Sequence, residues 1–463
     1  MAAPNVIFIL IDDMGWKDLA CYGSDFYETP NIDRLAQEGM TFTDAYAACP
    51  VCSPTRASIQ TGKYPARLGL TNWIPGEAKG KLLEAPYIKH LPLDEYTIAR
   101  ALDAAGYNTW HVGKWHLGEE PYWPQQHGYK ENIGGCDWGQ PKEGYFSPWN
   151  IPGMTNAPEG TYLTDHLSEQ ACGLIRDNDD APFFLHMSYY TVHCPIQAKL
   201  QHIERFEQKV RDMGLDEVKT FEEGEHFPCE HKKDKRVIRR LVQSNPVYAS
   251  MIWSLDEGVG RILDTLEETG ELDNTIIFFF SDNGGLATSE GSPTCNAPLA
   301  EGKGWMYEGG TREPLIVTWP GITDPGSQCS VPTTSTDFYP TILEMTGLEP
   351  MPHQHCDGES LVGLLGGENE LERDAIFWHY PHYGNQGGTP GCSVRAGDYK
   401  LIEFFEDGRL ELYNLREDLS EGNDLSQDMP QKTQELHERL REWRDEVEAN
   451  MPRENPDWEP LEG

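Results

Sequence analysis

Apolar residues along the chain follow two alternating rhythms. Short, apolar-rich runs at 6–11, 107–112, 183–190, 275–280 and 314–319 have the length and the β-branched or aromatic content of strands. Between them, 31–38, 97–105, 162–175, 248–268 and 336–345 carry apolar residues at helical spacing. Thr29 and Pro30 read as a cap and a first-turn proline, while Gly39, Gly106 and Gly347 follow the last periodic residues. This alternation predicts an α/β fold, a mostly parallel central sheet flanked by helices. After about residue 372 the pattern changes to strand-like runs at 375–380, 392–405 and 409–414 and one amphipathic helix at 431–447. A smaller C-terminal antiparallel sheet plus helix subdomain is expected there. The predicted division is 1–371 and 372–463, with 199–245, charged and broken by Gly and Pro, a mainly helical insertion that shapes access to a site.

Length and charge narrow the partners. A chain of 463 residues supports one large domain and a companion, and its longest apolar runs fall far short of the roughly 20 residues a membrane span requires. Acidic residues outnumber basic ones 76 to 37, a formal charge of -39 that repels nucleic acid and anionic membranes, so neither is an expected partner. An anionic substrate would need a local island of Lys, Arg, His and metal. The 11 cysteines are scattered, which predicts reduced thiols and a cytoplasmic home. Met1 to Asn5 shows no leader pattern; a periplasmic or secreted home is the alternative if a leader has been trimmed. Cys49 and Cys52 form C-x-x-C without the second half a zinc site needs.

Candidate chemistry begins at the strand ends. Asp12 and Asp13 follow the first apolar run, and Asp282 and Asn283 follow the run 275–280. In a parallel sheet these ends share the edge where ligands bind. Three carboxylates and an amide repel one another unless a cation lies between them, although either pair alone could simply cap a helix. All-oxygen ligands suit Ca2+ better than zinc, with Mg2+ second. Cys52 opens a helix-like run, 53–60, closed by Thr61 and Gly62, so its side chain falls at a helix N-terminus that favours anions.

Cys52-Ser53-Pro54-Thr55-Arg56 followed by Thr61-Gly62 resembles the signature of the formylglycine-dependent (type I) sulfatases, whose fold is the alkaline-phosphatase-like α/β type. Gly113-Lys114-Trp115-His116-Leu117-Gly118, His193-Cys194-Pro195, Asp282-Asn283-Gly284 and Lys303 before Glu308-Gly309-Gly310-Thr311-Arg312 follow in that family's order. Ile59 stands where the family usually has Leu, and Glu313 where it usually has an apolar residue. The resemblance implies a maturation enzyme that oxidises Cys52 to an aldehyde, whose hydrate attacks sulfur to give a covalent sulfo-enzyme. It also implies that Asp12, Asp13, Asp282, Asn283 and the modified Cys52 surround calcium, and that Arg56 holds the hydrate. Elementary chemistry agrees: sulfuryl transfer spreads negative charge over oxygens, which Lys114 and Lys303 would offset. His193 is the expected general acid toward the leaving hydroxyl, and His116 the base that releases sulfate. Taken singly, such histidines are more often structural.

For the substrate, His379-Tyr380-Pro381-His382-Tyr383 combines rings that stack on sugars with imidazoles that bind hydroxyls. His379, His382 and Arg312 are therefore expected substrate binders, with sheet-edge packing the alternative for the first two. Trp115, Trp138, Trp149 and Trp305 would line a pocket or fill the core, and the His- and Cys-containing segments 226–231 and 353–356 are expected to be exposed loops. The reading is a sulfuric ester hydrolase acting on a sulfated mono- or oligosaccharide of galactose or N-acetylgalactosamine type. A phosphomonoester or phosphonate hydrolase on the same fold, and a silent calcium-dependent glycan-binding protein with unmodified Cys52, use the same residues.

Overall fold

Strand Asn5–Ile11 is buried along its whole length because its two faces enter two different cores. Ile7, Ile9 and Ile11 pack with helices Pro30–Glu38, Leu163–Arg176 and Pro246–Thr269. Val6, Phe8 and Leu10 pack with helices Cys52–Thr61, Ile98–Ala104 and Phe338–Met345 on the other side. Such two-sided burial is what a continuous apolar run requires of a strand inside a parallel sheet. In this computed structural model, which describes residues 3–179 and 181–459, the strand is central to a nine-stranded sheet. Met1 and Ala2, on which the leader expectation bears, lie outside the described residues.

The sheet order is Ser327–Cys329, Met40–Tyr46, Arg312–Thr318, Thr275–Ser281, Asn5–Ile11, Phe183–Ser188, Asn108–Gly113 and Glu131–Ile133, with Thr333–Thr334 pairing beside Met40–Tyr46. The last five of the ordered eight run parallel, and Arg312–Thr318 is antiparallel to both neighbours. Ile11 is in register with Ser281, so Asp12 and Asp282 leave adjacent strands side by side. The strand Met40–Tyr46 escapes the sequence pattern because polar Thr41, Thr43 and Asp44 alternate through it. At helix Pro30–Glu38 the expected cap is corrected: Thr29 makes no capping bond, and the amides of Asn31 and Ile32 donate instead to Asp256 of the long helix.

Beyond residue 372, strands Ala375–Tyr380, Gly391–Ala396, Tyr399–Phe404 and Leu410–Asn414 form an antiparallel sheet. The run 392–405 is thus two strands, folded at Gly397, whose φ of +59° suits glycine. One face of this sheet receives Leu436, Leu440 and Trp443 of helix Pro430–Glu446, and the other, with Trp378, packs on Tyr46, Cys49 and Val51 near the nucleophile helix. The segment 199–245 departs from expectation: its one α-helix is Leu200–Asp212, a 3-10 turn lies at Glu230–Lys232, and Phe221–His226 pairs antiparallel with Arg236–Arg240. Charge along both strands, Glu222, Glu223 and Glu225 on one and Arg236, Arg239 and Arg240 on the other, hides such a hairpin. No helix among the described residues is long and apolar enough to cross a membrane.

Candidate active site

At the C-terminal edge of the parallel strands, sequence-distant charges converge. Lys114 Nζ donates to Asp12 Oδ2 at 2.7 Å, and Lys303 Nζ lies 2.6 Å from Asp13 Oδ1. Arg56 donates from Nε to Asp282 Oδ2 (2.8 Å) and from Nη1 to Ser188 Oγ and the Lys114 carbonyl (2.7 and 3.1 Å). Gly113, at φ +102°, allows this approach, since a Cβ there would lie 1.9 Å from the Ser188 carbonyl oxygen. Asp12, Asp13, Asp282, Asn283, Arg56 and Lys114 are all at most 2% exposed. Burying so many charges is tolerable only because they are paired.

The pairing is incomplete in one place. Asp12 Oδ1 and Asn283 Oδ1 are buried and accept no hydrogen bond. Ligand atoms of Asp12, Asp13, Cys52 and His193 lie within 4.8 Å of one another. Asn283 Nδ2 donates to Asp13 Oδ1 at 2.9 Å, which turns its carbonyl oxygen away as a free donor atom. Orphaned oxygens beside carboxylates are the donor set of a hard divalent cation, so the residues fit one. Asp282 adjoins the group by accepting the Asp13 amide at 3.3 Å. Burial pushes the Asp282 carboxyl up, while for Asp13 burial is outweighed by His193, Lys303 and Lys114, which hold it below the usual carboxylate range.

Cys52 is the first residue of helix Cys52–Thr61, which Gly62 ends in the left-handed conformation. Burial pushes its thiol up to about 12 against the pull of Lys114 and Lys303. It lines a cleft of about 500 Å3 together with His116, His193 and Lys303. His116 directs Nε2 at the Ile74 carbonyl oxygen, so this nitrogen carries the proton and Nδ1 is the basic atom. Burial first, then Lys114, depresses its pKa well below the ordinary value and keeps the ring neutral. Gly139 lies against this imidazole, where a Cβ would come within 2.6 Å of Cε1. His193 Nδ1 donates to the Cys194 carbonyl at 2.8 Å, leaving Nε2, 3.6 Å from Asp13 Oδ2, as the atom presented to the site. Tyr145 OH donates to the carbonyls of Tyr190 and His193 and fixes that turn.

The structure brings the expected nucleophile, cation and histidine positions together but does not bring the expected substrate binders to them. His379 is 3% exposed and points Nε2 at the Asn450 carbonyl. His382 is wholly buried between Thr71 Oγ1 (2.8 Å) and Glu84 (3.2 Å). Arg312 pairs with Asp44 and Glu308 between the two sheets. Arg312 and His382 serve the seam where the antiparallel sheet docks, whereas His379 alternates with Trp378 onto the other face, beside the chain leaving helix Pro430–Glu446. The cleft walls come instead from Trp73, Trp138, Lys142 and Glu290, residues in loops. Trp115 and Trp149 are core, and Trp305 bonds Thr288 and the Gln386 carbonyl. In 353–356 the expected exposed loop is corrected at His355, buried beneath Gly62 with Nε2 accepting the Met351 amide. Ser188 was legible in principle, because it ends a third parallel strand at the same edge.

The family model described as "Sulfatase" matches residues 4–348, and that for "N-sulphoglucosamine sulphohydrolase, C-terminal" matches 301–446. A "Sulfatase" of Formosa agariphila is 31% identical over 95% of this chain and 88% of its own length. The N-acetylgalactosamine-6-sulfatase of Rattus norvegicus is 30% identical over 94% of this chain and 78% of its own length. Among solved structures, "Ps i-CgsB in complex with k-i-k-neocarrahexaose" superposes with a TM-score of 0.78 at 28% identity, covering 99% of this chain and 95% of that one.

Proposed function

The chain belongs to the sulfatase family, and on that premise we propose that it removes sulfate from a galactose- or N-acetylgalactosamine-type sugar with a formylglycine made from Cys52. One observation carries the nucleophile: Cys52 sits at a helix N-terminus among fixed cations, yet its thiol is pushed up to about 12 and is therefore un-ionised. An oxidised Cys52 avoids that handicap. As a hydrated aldehyde supplied by a maturation enzyme, the residue would offer an oxygen nucleophile to sulfur and pass through a covalent sulfo-enzyme.

The surrounding residues supply what such a transfer needs. Lys303 lines the cleft as a cation, its pKa raised by Asp13 against burial, while Lys114 acts from behind Asp12. His193 gives the departing sugar oxygen a proton from Nε2 in its doubly protonated form, since Nδ1 is committed to the Cys194 carbonyl; burial opposes that form and the Asp13 charge favours it. His116 Nδ1 then takes a proton from the remaining hydroxyl, so that the carbon–oxygen double bond re-forms as sulfate leaves and water need not attack sulfur. Arg56 acts mainly through Asp282, to which both Nε and Nη2 are held. Asp12, Asp13, Asp282 and Asn283 would hold a cation, for which calcium is the best match to oxygen donors; it would neutralise the sulfate oxygens. The sugar assignment is supported by a relative named N-acetylgalactosamine-6-sulfatase and a neighbour solved with a neocarrahexaose.

Protein made in its own host should show formylglycine in the Cys52 peptide by mass spectrometry and release sulfate from N-acetylgalactosamine 6-sulfate. Turnover by protein whose Cys52 is wholly thiol would sink the nucleophile assignment.

A further inference from the structure

Away from its cationic floor, the cleft wall is acidic and aromatic. Glu119, Asp137 and Glu290 line it, and among the described lining residues Lys142 is the one lysine besides Lys303. Lys142 Nζ is engaged 4.4 Å above the Trp138 ring. Of the three acids, Glu290 is tied to the chemistry: its Oε2 accepts from Cys194 Sγ at 3.1 Å, and that sulfur lies 3.4 Å from His193 Nδ1. Its Oε1 accepts from Gln386 Nε2 at 3.3 Å. Glu290 occupies positive φ, +54°, in a turn closed by the Ser292 amide donating to the Ser289 carbonyl. A non-glycine residue held there signals a local requirement. The side chain is nevertheless exposed, so a ligand in the cleft can reach it. Gln386, 5% exposed, holds the Glu290 carboxylate in place through the Nε2 bond.

We propose that Glu290 is a specificity-determining residue of the sulfatase reaction. Its carboxylate accepts hydrogen bonds from hydroxyls of the sugar that leaves from sulfur, and by its charge it rejects sugars bearing a second anionic group near the scissile sulfate. The inference rests on the sugar-sulfatase reading above. An ionised carboxylate fixed next to the leaving group repels a second sulfate or a uronate in a partly desolvated cleft, where like charges in contact are strongly disfavoured. A carboxylate that accepts from a sugar hydroxyl also discriminates against substrates that lack it.

The test compares matured wild-type enzyme with Glu290→Gln on N-acetylgalactosamine 6-sulfate and N-acetylgalactosamine 4,6-disulfate. Both rates are divided by each protein's own turnover of 4-nitrophenyl sulfate, so that loss of folded or matured enzyme cancels. The wild type should prefer the monosulfate, and Glu290→Gln should shrink that preference in kcat/KM about ten-fold or more, chiefly through KM. Raising ionic strength should shrink the wild-type preference as well, because a screened charge rejects less well. A preference unchanged both by the substitution and by salt overturns the role of Glu290. If the wild type hydrolyses 4-nitrophenyl sulfate but neither sugar, the sugar reading itself fails, and the inference with it.

Discussion

Two buried ionic networks in this molecule have the same formal composition, three acids and three bases, and opposite character. One joins Asp12, Asp13 and Asp282 to Arg56, Lys114 and Lys303 at the edge of the parallel strands. The other joins Asp44, Glu308 and Glu421 to Arg312, Arg395 and Lys400 where the two sheets meet. In the second, Glu308 accepts from Lys400 and from Tyr46 OH (2.9 and 2.7 Å), Asp44 lies 2.6 Å from both arginines, and Glu421 accepts the Glu308 amide at 2.6 Å. In the first, Asp12 Oδ1 and Asn283 Oδ1 accept no hydrogen bond, and Arg56 Nη2 stays 3.6 Å from Asp12 Oδ1; in the second, Glu421 Oε1 also accepts none but lies 3.1 Å from the Lys400 ammonium. The closed network is a joint between sheets. The open one leaves donor oxygens buried without a partner, a cost that a cation bound there would offset.

The largest effect should come from damaging the open network. Asp282→Ala removes a candidate cation ligand and the partner of Arg56, and kcat/KM on 4-nitrophenyl sulfate should fall ~10^3-fold or more, together with bound cation measured by elemental analysis. Parental activity with parental cation content would erase the distinction between the networks. Damage to the closed network should appear as stability instead. Lys400→Met leaves Glu308 and Glu421 buried without their ammonium partner, a loss of about 3–5 kcal/mol by urea unfolding, while the folded fraction keeps its kcat. A Lys400→Met protein that is stable but inactive would mean that the seam belongs to the site.

The open network was largely legible in sequence, and the closed one was not. Asp12-Asp13 and Asp282-Asn283 each follow an apolar run, so strand ends alone place them on one edge, and Cys52 precedes a helical pattern with a visible Gly62 stop. Those inferences need only local rhythm and the rule that parallel strands share a ligand edge. Arg312, His379 and His382 needed more: each lies in or beside a strand, and whether it faces the cleft, the seam or the C-terminal helix depends on how the antiparallel sheet docks and which face each residue takes. Loop-borne wall residues such as Glu290 and Lys142 carry no periodicity at all. The hairpin within 199–245 was hidden for a related reason, since Phe221–His226 is exposed and acidic rather than alternately apolar.

The smallest effect should be a difference in sign. His111, wholly buried on strand Asn108–Gly113 among Trp115, Tyr129 and His186, has its pKa lowered to about 3 by burial and then by the nearby Arg56 charge of the open network. Between pH 6.5 and 3 the unfolded chain binds a proton there that the folded chain refuses, so this group's stability contribution is full above 6.5 and is lost on acidification. In the closed network Glu421 is raised by burial and by Glu308, with Lys400 opposing, so the folded chain holds a proton that the unfolded chain releases, and stability is lost as pH rises above the ordinary carboxylate value. Either slope is at most about 1.4 kcal/mol per pH unit. Urea unfolding at pH 5, 6 and 7 should therefore show His111→Leu flattening the loss toward acid. Glu421→Gln, which can still accept the Glu308 amide, should flatten the loss toward neutral pH. Slopes changed in the same direction by both substitutions would mean that the two networks are coupled electrostatically across the sheet and cannot be told apart by closure alone.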